Sequence, residues 1–264
     1  MKKVMLFALA ILLNVAGAKA QKVEEYGIFD HLGVGISVGT TGIGFDLAAP
    51  VTDYLQLRAG YSFMPKLSYT AELDVVSNVD LSGVPYADQI PDEVDIEGKL
   101  NMNNFKFLID IYPFKASRNG FHVTAGAFIG SDKLVSVYNT TPFTLPSALS
   151  GFNLSDFGLD LADYGIAFDK NGYARADLKV KGFKPYLGIG YGRAVPKKRL
   201  GVQFDMGVQF WGKPGVYRTV DESGKTEQLK KGDFGGEEAD EIFDIMEKIT
   251  VYPVIKLRLC GRIF

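Results

Sequence analysis

Eight stretches of the chain alternate, one residue at a time, between large apolar side chains and a second set rich in glycine and charge. The apolar members run Leu32–Val38, Ile43–Ala49, Leu55–Phe63, Phe105–Ile111, Phe121–Ile129, Phe183–Tyr191, Val202–Phe210 and Ile255–Ile263. Successive side chains of a strand point to opposite faces, so a period of two places each set on its own face. The lengths approach the roughly 9–11 residues with which a tilted strand crosses a bilayer.

The pattern predicts an all-β chain folded as a closed, antiparallel, eight-stranded transmembrane up-and-down β-barrel with long extracellular loops. In water the apolar face of a barrel would be enclosed. In a bilayer it faces acyl chains, and the polar face lines the lumen. The links between runs support the membrane form. Those near 50–53, 116–120 and 195–198 are short turns, and 40–42 is a tight link, whereas 64–100, 131–181 and 212–249 are long. Short turns at one end and long loops at the other match periplasmic turns and external loops, with both ends of the chain in the periplasm. Aromatic residues near the run ends suggest two interfacial girdles: Tyr54, Tyr112, Phe114, Phe121 and Phe264 below, and Tyr61, Phe63, Phe105, Phe210, Trp211 and Tyr252 above.

Within the long links, Tyr69, Ala71, Leu73 and Val75 alternate, and Val94 and Ile96 lead into the next run, which suggests a hairpin above the membrane. Asp169-Lys170-Asn171-Gly172 carries a hairpin-turn signal. Residues 237–249 have helical spacing, as of a short helix packed on the rim.

The amino terminus adds a compartment. Lys2 and Lys3 precede an apolar run to Ala16, and Ala18-Lys19-Ala20 is a small-x-small cleavage site. Residues 1–20 therefore read as a signal peptide, cleaved near Ala20, followed by a short periplasmic segment 21–30 and the barrel domain 31–264. Cleavage removes three lysines and no acid, which takes the formal charge from −2 to −5. A mildly acidic exported chain lacks the clustered cations that nucleic-acid binding needs. Cys260 is the single cysteine, so no internal disulfide forms.

Candidate chemistry concentrates on the inward face. Asp46, Arg58, Lys106, Asp110, Lys184, Asp205, Lys256, Arg258 and Arg262 fall on the lumen register. An eight-stranded barrel is just wide enough for side chains to fill it. These charges are then either a salt-bridge network that plugs the barrel or the lining of a narrow polar path. Gly188, Gly190 and Gly192 alternate on one face with no helix after them, so they suit lumen packing rather than a phosphate loop. Asp156, Asp160 and Asp163 are either a solvated loop face or a calcium site. With only His31 and His122 present, a multi-histidine metal site is excluded. No nucleophile–base pair is visible, so neither a catalytic residue nor a cofactor is expected.

Lys184-Pro185-Tyr186-Leu187-Gly188-Ile189-Gly190-Tyr191-Gly192, then Gly201–Trp211 and Gly212-Lys213-Pro214, resemble a recurrent segment of small porin-like outer-membrane β-barrel proteins. The closing residues from Leu257-Arg258-Leu259 to Phe264 resemble the terminal strand of such proteins, especially those of Bacteroidetes. The resemblance implies a Gram-negative outer-membrane barrel, porin-like and without catalytic residues. Its expected partners are outer-membrane lipid, lipopolysaccharide and the barrel-assembly machinery. One feature departs from it: counting back by twos from Phe264 reaches Arg262, Cys260 and Arg258, the polar register. Two functions remain open, namely passive passage of small solutes or apolar molecules, and a structural or adhesive barrel with a plugged lumen and surface-binding loops.

Overall fold

A computed structural model describes residues 25–65, 68–161, 164–221, 223, 225–230, 245 and 248–263. The signal segment, Phe264 and most of the expected helix at 237–249 lie outside these residues. In chain order the strands are β1 (Gly33–Gly39), β2 (Gly42–Thr52), β3 (Leu55–Phe63), β4 (Ser68–Ser77), β5 (Glu93–Leu100), β6 (Asn104–Ile111), β7 (Phe121–Gly130) and β8 (Lys133–Asn139). They continue with β9 (Phe157–Leu161), β10 (Tyr164–Ala167), β11 (Arg175–Lys179), β12 (Phe183–Tyr191), β13 (Leu200–Phe210), β14 (Gly215–Thr219), β15 (Thr226–Gln228) and β16 (Val251–Arg262).

Eight of these close into a barrel in the order β1-β16-β13-β12-β7-β6-β3-β2. All neighbours are antiparallel, and β1 joins β16 from Gly33↔Arg262 to Gly39↔Lys256, which removes the open edge. Each alternating run of the sequence falls on one of these strands, with Leu32 just before β1 and Ile263 just after β16. The two faces are unambiguous: Arg58, Asp205 and Arg258 are 3%, 1% and 1% exposed, whereas Phe204 and Leu257 are 41% and 48% exposed. Ile36, Phe45, Phe107, Ile109, Leu187, Ile189, Met206, Ile255 and Leu259 join them in an apolar band around the barrel. Leaving such a side chain in water forfeits about 1.5–3 kcal/mol each, so this band needs an apolar surrounding. Among the described residues no helix is long and apolar enough to cross a membrane.

The three long links are woven into one open sheet of eight strands, in the order β10-β9-β4-β5-β8-β11-β14-β15. The expected hairpin is its β4–β5 pair, with Ala71↔Ile96 and Leu73↔Val94 in register. The rest of the sheet goes beyond that expectation. β4 also pairs with β9, β8 bridges β5 and β11, and β11 pairs with β14 from the third link. Residues 169–172 do form a turn, with the Gly172 amide donating to the Asp169 carbonyl and Gly172 at φ +77°. The turn joins β10 to β11, which are not neighbours in the sheet, so the hairpin expected there is corrected to a turn between separate strands. Arg218 donates from β14 to the Gly165 carbonyl on edge strand β10, so the sheet curls on itself. Inside the curl lies an apolar core that includes Val94, Ile96, Phe143, Phe157, Leu159 and Phe168. Phe143 and Phe168 stack at 4.4 Å between ring centres.

Candidate functional site

The lumen holds the expected charges in layers. In the middle, Arg58 from β3 bridges two acids: its Nη2 lies 2.6 Å from Asp110 Oδ1 on β6, and its Nη1 lies 2.7 Å from Asp205 Oδ2 on β13. Thr124 Oγ1 donates to Asp110 Oδ1 at 2.7 Å, and His122 Nε2 meets Asp205 Oδ1 at 2.9 Å. A second knot centres on Asp46, which pairs with Arg258 and with Lys106 Nζ at 2.7 Å. Gln203 joins the knots, since its Oε1 accepts from Arg258 Nη1 at 3.2 Å and its Nε2 donates to Asp110 Oδ2 at 3.4 Å. Charges removed from water are tolerated only with such partners. The lumen glycines provide the room. A side chain at Gly35 would collide with the Arg258 guanidinium, and one at Gly190 with His122 and Asp205.

Apolar layers close the network above and below. Leu108, Phe128, Tyr186 and Val254 cluster over it, and Lys256 Nζ sits 4.7 Å from the centre of the Phe128 ring, a cation–π contact. Higher still, Met102, Val180 and Trp211 pack together at the mouth beneath the second sheet. At the short-turn end, Ala194 and Val195 fold inward, and both are fully buried. The Ala194 amide donates to Tyr112 Oη, the Val195 amide donates to Gln56 Oε1, and the Tyr26 hydroxyl donates to the Val195 carbonyl at 2.8 Å. Burial pushes the Tyr26 phenol up to about 12, so it stays a neutral donor.

Of the nine predicted charges, Asp46, Arg58, Lys106, Asp110, Asp205 and Arg258 form the network, and Lys256 lies over its aromatic roof. Lys184 stands apart near the long-link end, where its Nζ donates to Asn104 Oδ1 and the Ser131 carbonyl. Arg262 is corrected: it is only half-buried, on the last rung of β16 opposite Gly33, and so belongs to the rim. His122, Thr124, Gln56 and Gln203 were missed as network members although they share the lumen register. Two expected girdle residues also turn inward. Tyr112 is fully buried, and Trp211, 4% exposed, donates from Nε1 to the Ile249 carbonyl.

Among the described residues no group of three His, Cys, Asp or Glu side chains is arranged to hold a metal. Asp156 accepts the Asn153 amide in a capping box, and Asp163 lies outside the described residues.

No family model matches the chain, and no curated protein matches it. Several solved structures resemble it. CarO2 of Acinetobacter baumannii is 19% identical over 90% of this chain and 99% of its own, with a TM-score of 0.46. CarO of the same organism is 20% identical over 87% and 96%, with a TM-score of 0.46. A major outer membrane protein from Thermus thermophilus is 18% identical over 88% and 98%, with a TM-score of 0.29.

Proposed function

We propose that this chain is an outer-membrane β-barrel protein with a lumen closed to solutes, and that it acts through the folded sheet it holds outside the cell as a structural or adhesive surface. The observation that carries the reading is the filled interior. The Arg58–Asp110–Asp205 and Arg258–Asp46–Lys106 knots occupy the full width of a barrel of this strand number. Above them Leu108, Phe128, Tyr186 and Val254 form an apolar layer across any polar path. Passage of solutes would require a continuous wet route through that layer.

The apolar band supports a bilayer around the barrel, and three long links at one end with short turns at the other support the outer-membrane orientation. Outer-membrane lipid and lipopolysaccharide then cover the band, and the barrel-assembly machinery inserts it after export and cleavage near Ala20. The finer likeness to small porin-like barrels of Bacteroidetes rests on the sequence of β12, β13 and the closing strand. The reading includes no catalysis.

Planar-bilayer recording tests it. The native protein, shown to be folded by heat-modifiable migration on gels, is expected to give no steady current. A steady ohmic conductance would restore passive passage of solutes. Lipid turnover by the same preparation would call for an enzyme instead.

A further inference from the structure

The outer face of the second sheet differs from its core face in chemistry and carries a groove. Along β11 the side chains of Arg175, Asp177 and Lys179 share one face, with Tyr173 just before them, while Ala174 and Ala176 enter the core. The neighbouring strands continue the outer face in register. Asp177 lies opposite Ser136 on β8 and Tyr217 on β14, and Arg175 lies opposite Tyr138. The result is a cavity of about 330 Å³ lined by Lys133, Tyr138, Tyr173, Arg175, Asp177 and Lys179, among others. That volume is at the small end of ordinary ligand pockets, about 300–1,000 Å³.

The floor of the groove is built rather than incidental. Asp177 is almost fully buried, yet both its oxygens are held: Lys133 Nζ lies 2.7 Å from Oδ2, and Ser136 Oγ donates to Oδ1 at 2.6 Å. Asp169, also in the lining, accepts the Asn171 and Tyr173 amides. These acids are thus already engaged. Two cations are less so. Arg175 is half exposed and reaches Asp177 only at 3.8 Å, and Lys179 lies 4.2 Å from the centre of the Tyr217 ring. The groove therefore offers two cationic donors beside tyrosine faces, over a floor of hydroxyl and charged groups.

We infer that this groove binds an anionic saccharide, with a sugar ring against Tyr173 and its phosphate or carboxylate between Arg175 and Lys179; the Tyr138 ring already carries Lys99, and its hydroxyl donates to Glu97. The inference rests on the proposed outer-membrane orientation. In that orientation Lys133, just after β7, and Lys179, just before β12, stand where strands leave the bilayer. That is the height of the sugar phosphates of the outer leaflet. The same chemistry is supplied by a soluble acidic polysaccharide.

The test uses the full mature protein in a neutral detergent and isothermal titration with four probes: deep-rough lipopolysaccharide, its dephosphorylated form, oligogalacturonate and dextran. Binding of an anionic probe is expected, weakened by salt and about tenfold weaker in each of Arg175→Gln and Lys179→Gln, with both variants keeping heat-modifiable migration. Binding of lipopolysaccharide alone identifies the outer-leaflet glycolipid as the source, and binding of oligogalacturonate as well identifies acidic sugars in general. Equal binding of the dephosphorylated form, which keeps the carboxylates of its acid sugars, assigns the anion as a carboxylate rather than a phosphate. The inference is overturned if no anionic probe binds, if dextran binds as tightly, or if either variant binds like the native protein. A Tyr173→Cys variant separates the two levels, because the only native cysteine, Cys260, is fully buried. Labelling of that variant in whole cells by a membrane-impermeant maleimide, with no saccharide binding by the native protein, removes the site and leaves the orientation standing. Labelling only after lysis removes the orientation, and the site with it.

Discussion

The barrel and the second sheet are each eight antiparallel strands, yet they are inverted with respect to one another. The barrel exposes Phe107 and Leu257 and buries Arg58 and Arg258; the sheet buries Phe143 and Phe157 and presents Arg175. Both obey the same period of two. The difference lies in the surroundings and in closure. A sheet in water hides its apolar face against its own loops, as the second sheet does around its phenylalanine core. A sheet in lipid must satisfy every backbone group within itself, so it closes and turns its polar face inward. Alternation thus specifies that two faces exist, and the solvent decides which of them is the inside.

The largest expected effect comes from breaking the inverted core. Arg58→Ala leaves Asp110 and Asp205 buried without their shared cation and is expected to cost about 3–5 kcal/mol, read as loss of the compact gel form or a fall in the urea midpoint in detergent. Arg175→Ala, half exposed and distant from its acid, is expected to leave that midpoint unchanged. Equal effects would mean that the lumen is not the low-dielectric interior described above. Phe157→Ala removes a fully buried ring from the sheet core and is expected to cost about 3–5 kcal/mol there. Its readout is faster proteolysis within residues 68–100 and 133–179, while the barrel keeps its heat-modifiable migration. Loss of both together would show that the two regions fold as one unit.

The next test addresses the outer wall. Leu257→Arg places a charge in the middle of the apolar band and is expected to cost about 2–4 kcal/mol in lipid vesicles. An arginine at the same exposed position of a water-soluble barrel would cost almost nothing. An unchanged folding midpoint in vesicles would therefore place position 257 in water.

Much of the barrel was legible because alternation is local: Phe105–Ile111 in the sequence becomes β6, Asn104–Ile111, without reference to any other strand. The lumen charges were legible for the same reason. Their pairing was not, because Arg58 meets Asp205 only after β13 is brought across a closed barrel. Tyr112 and Trp211 were misplaced although the period reaches them: each sits one residue beyond its strand, yet counting by twos from Asp110 and Gln209 puts both on the lumen face, where they are buried. Arg262 kept the register but lies at the last rung, where the interior opens. The second sheet escaped because its strands are short and its pairings, such as β4 with β9, join residues some 80 positions apart with no local mark of the partner.

The smallest effect concerns acid, and it separates the two regions without any change to the barrel. Burial alone would raise the Asp177 carboxyl, but hydrogen bonds from Lys133 and Ser136 and the nearby Arg175 charge outweigh it and hold the group below the ordinary carboxylate range. Glu97 is held low in the same sense, chiefly by its hydrogen bond with Lys99. A carboxyl depressed in the folded state contributes stability that is fully present above its unfolded value, near pH 4, and is lost as the pH falls through the folded value. The second sheet is therefore expected to hold constant resistance to proteolysis from neutral pH down to about pH 4 and to yield to pepsin below it. Asp177→Asn should reduce that acid step and lower the plateau above it, because Lys133 loses its anion while the pH-sensitive group is gone. Glu97→Gln, on a more exposed pair, should change the step less. An acid step that persists undiminished in the Asp177→Asn variant would assign the sensitivity to other carboxyls and leave the Asp177–Lys133 pair with a purely geometric part in the groove.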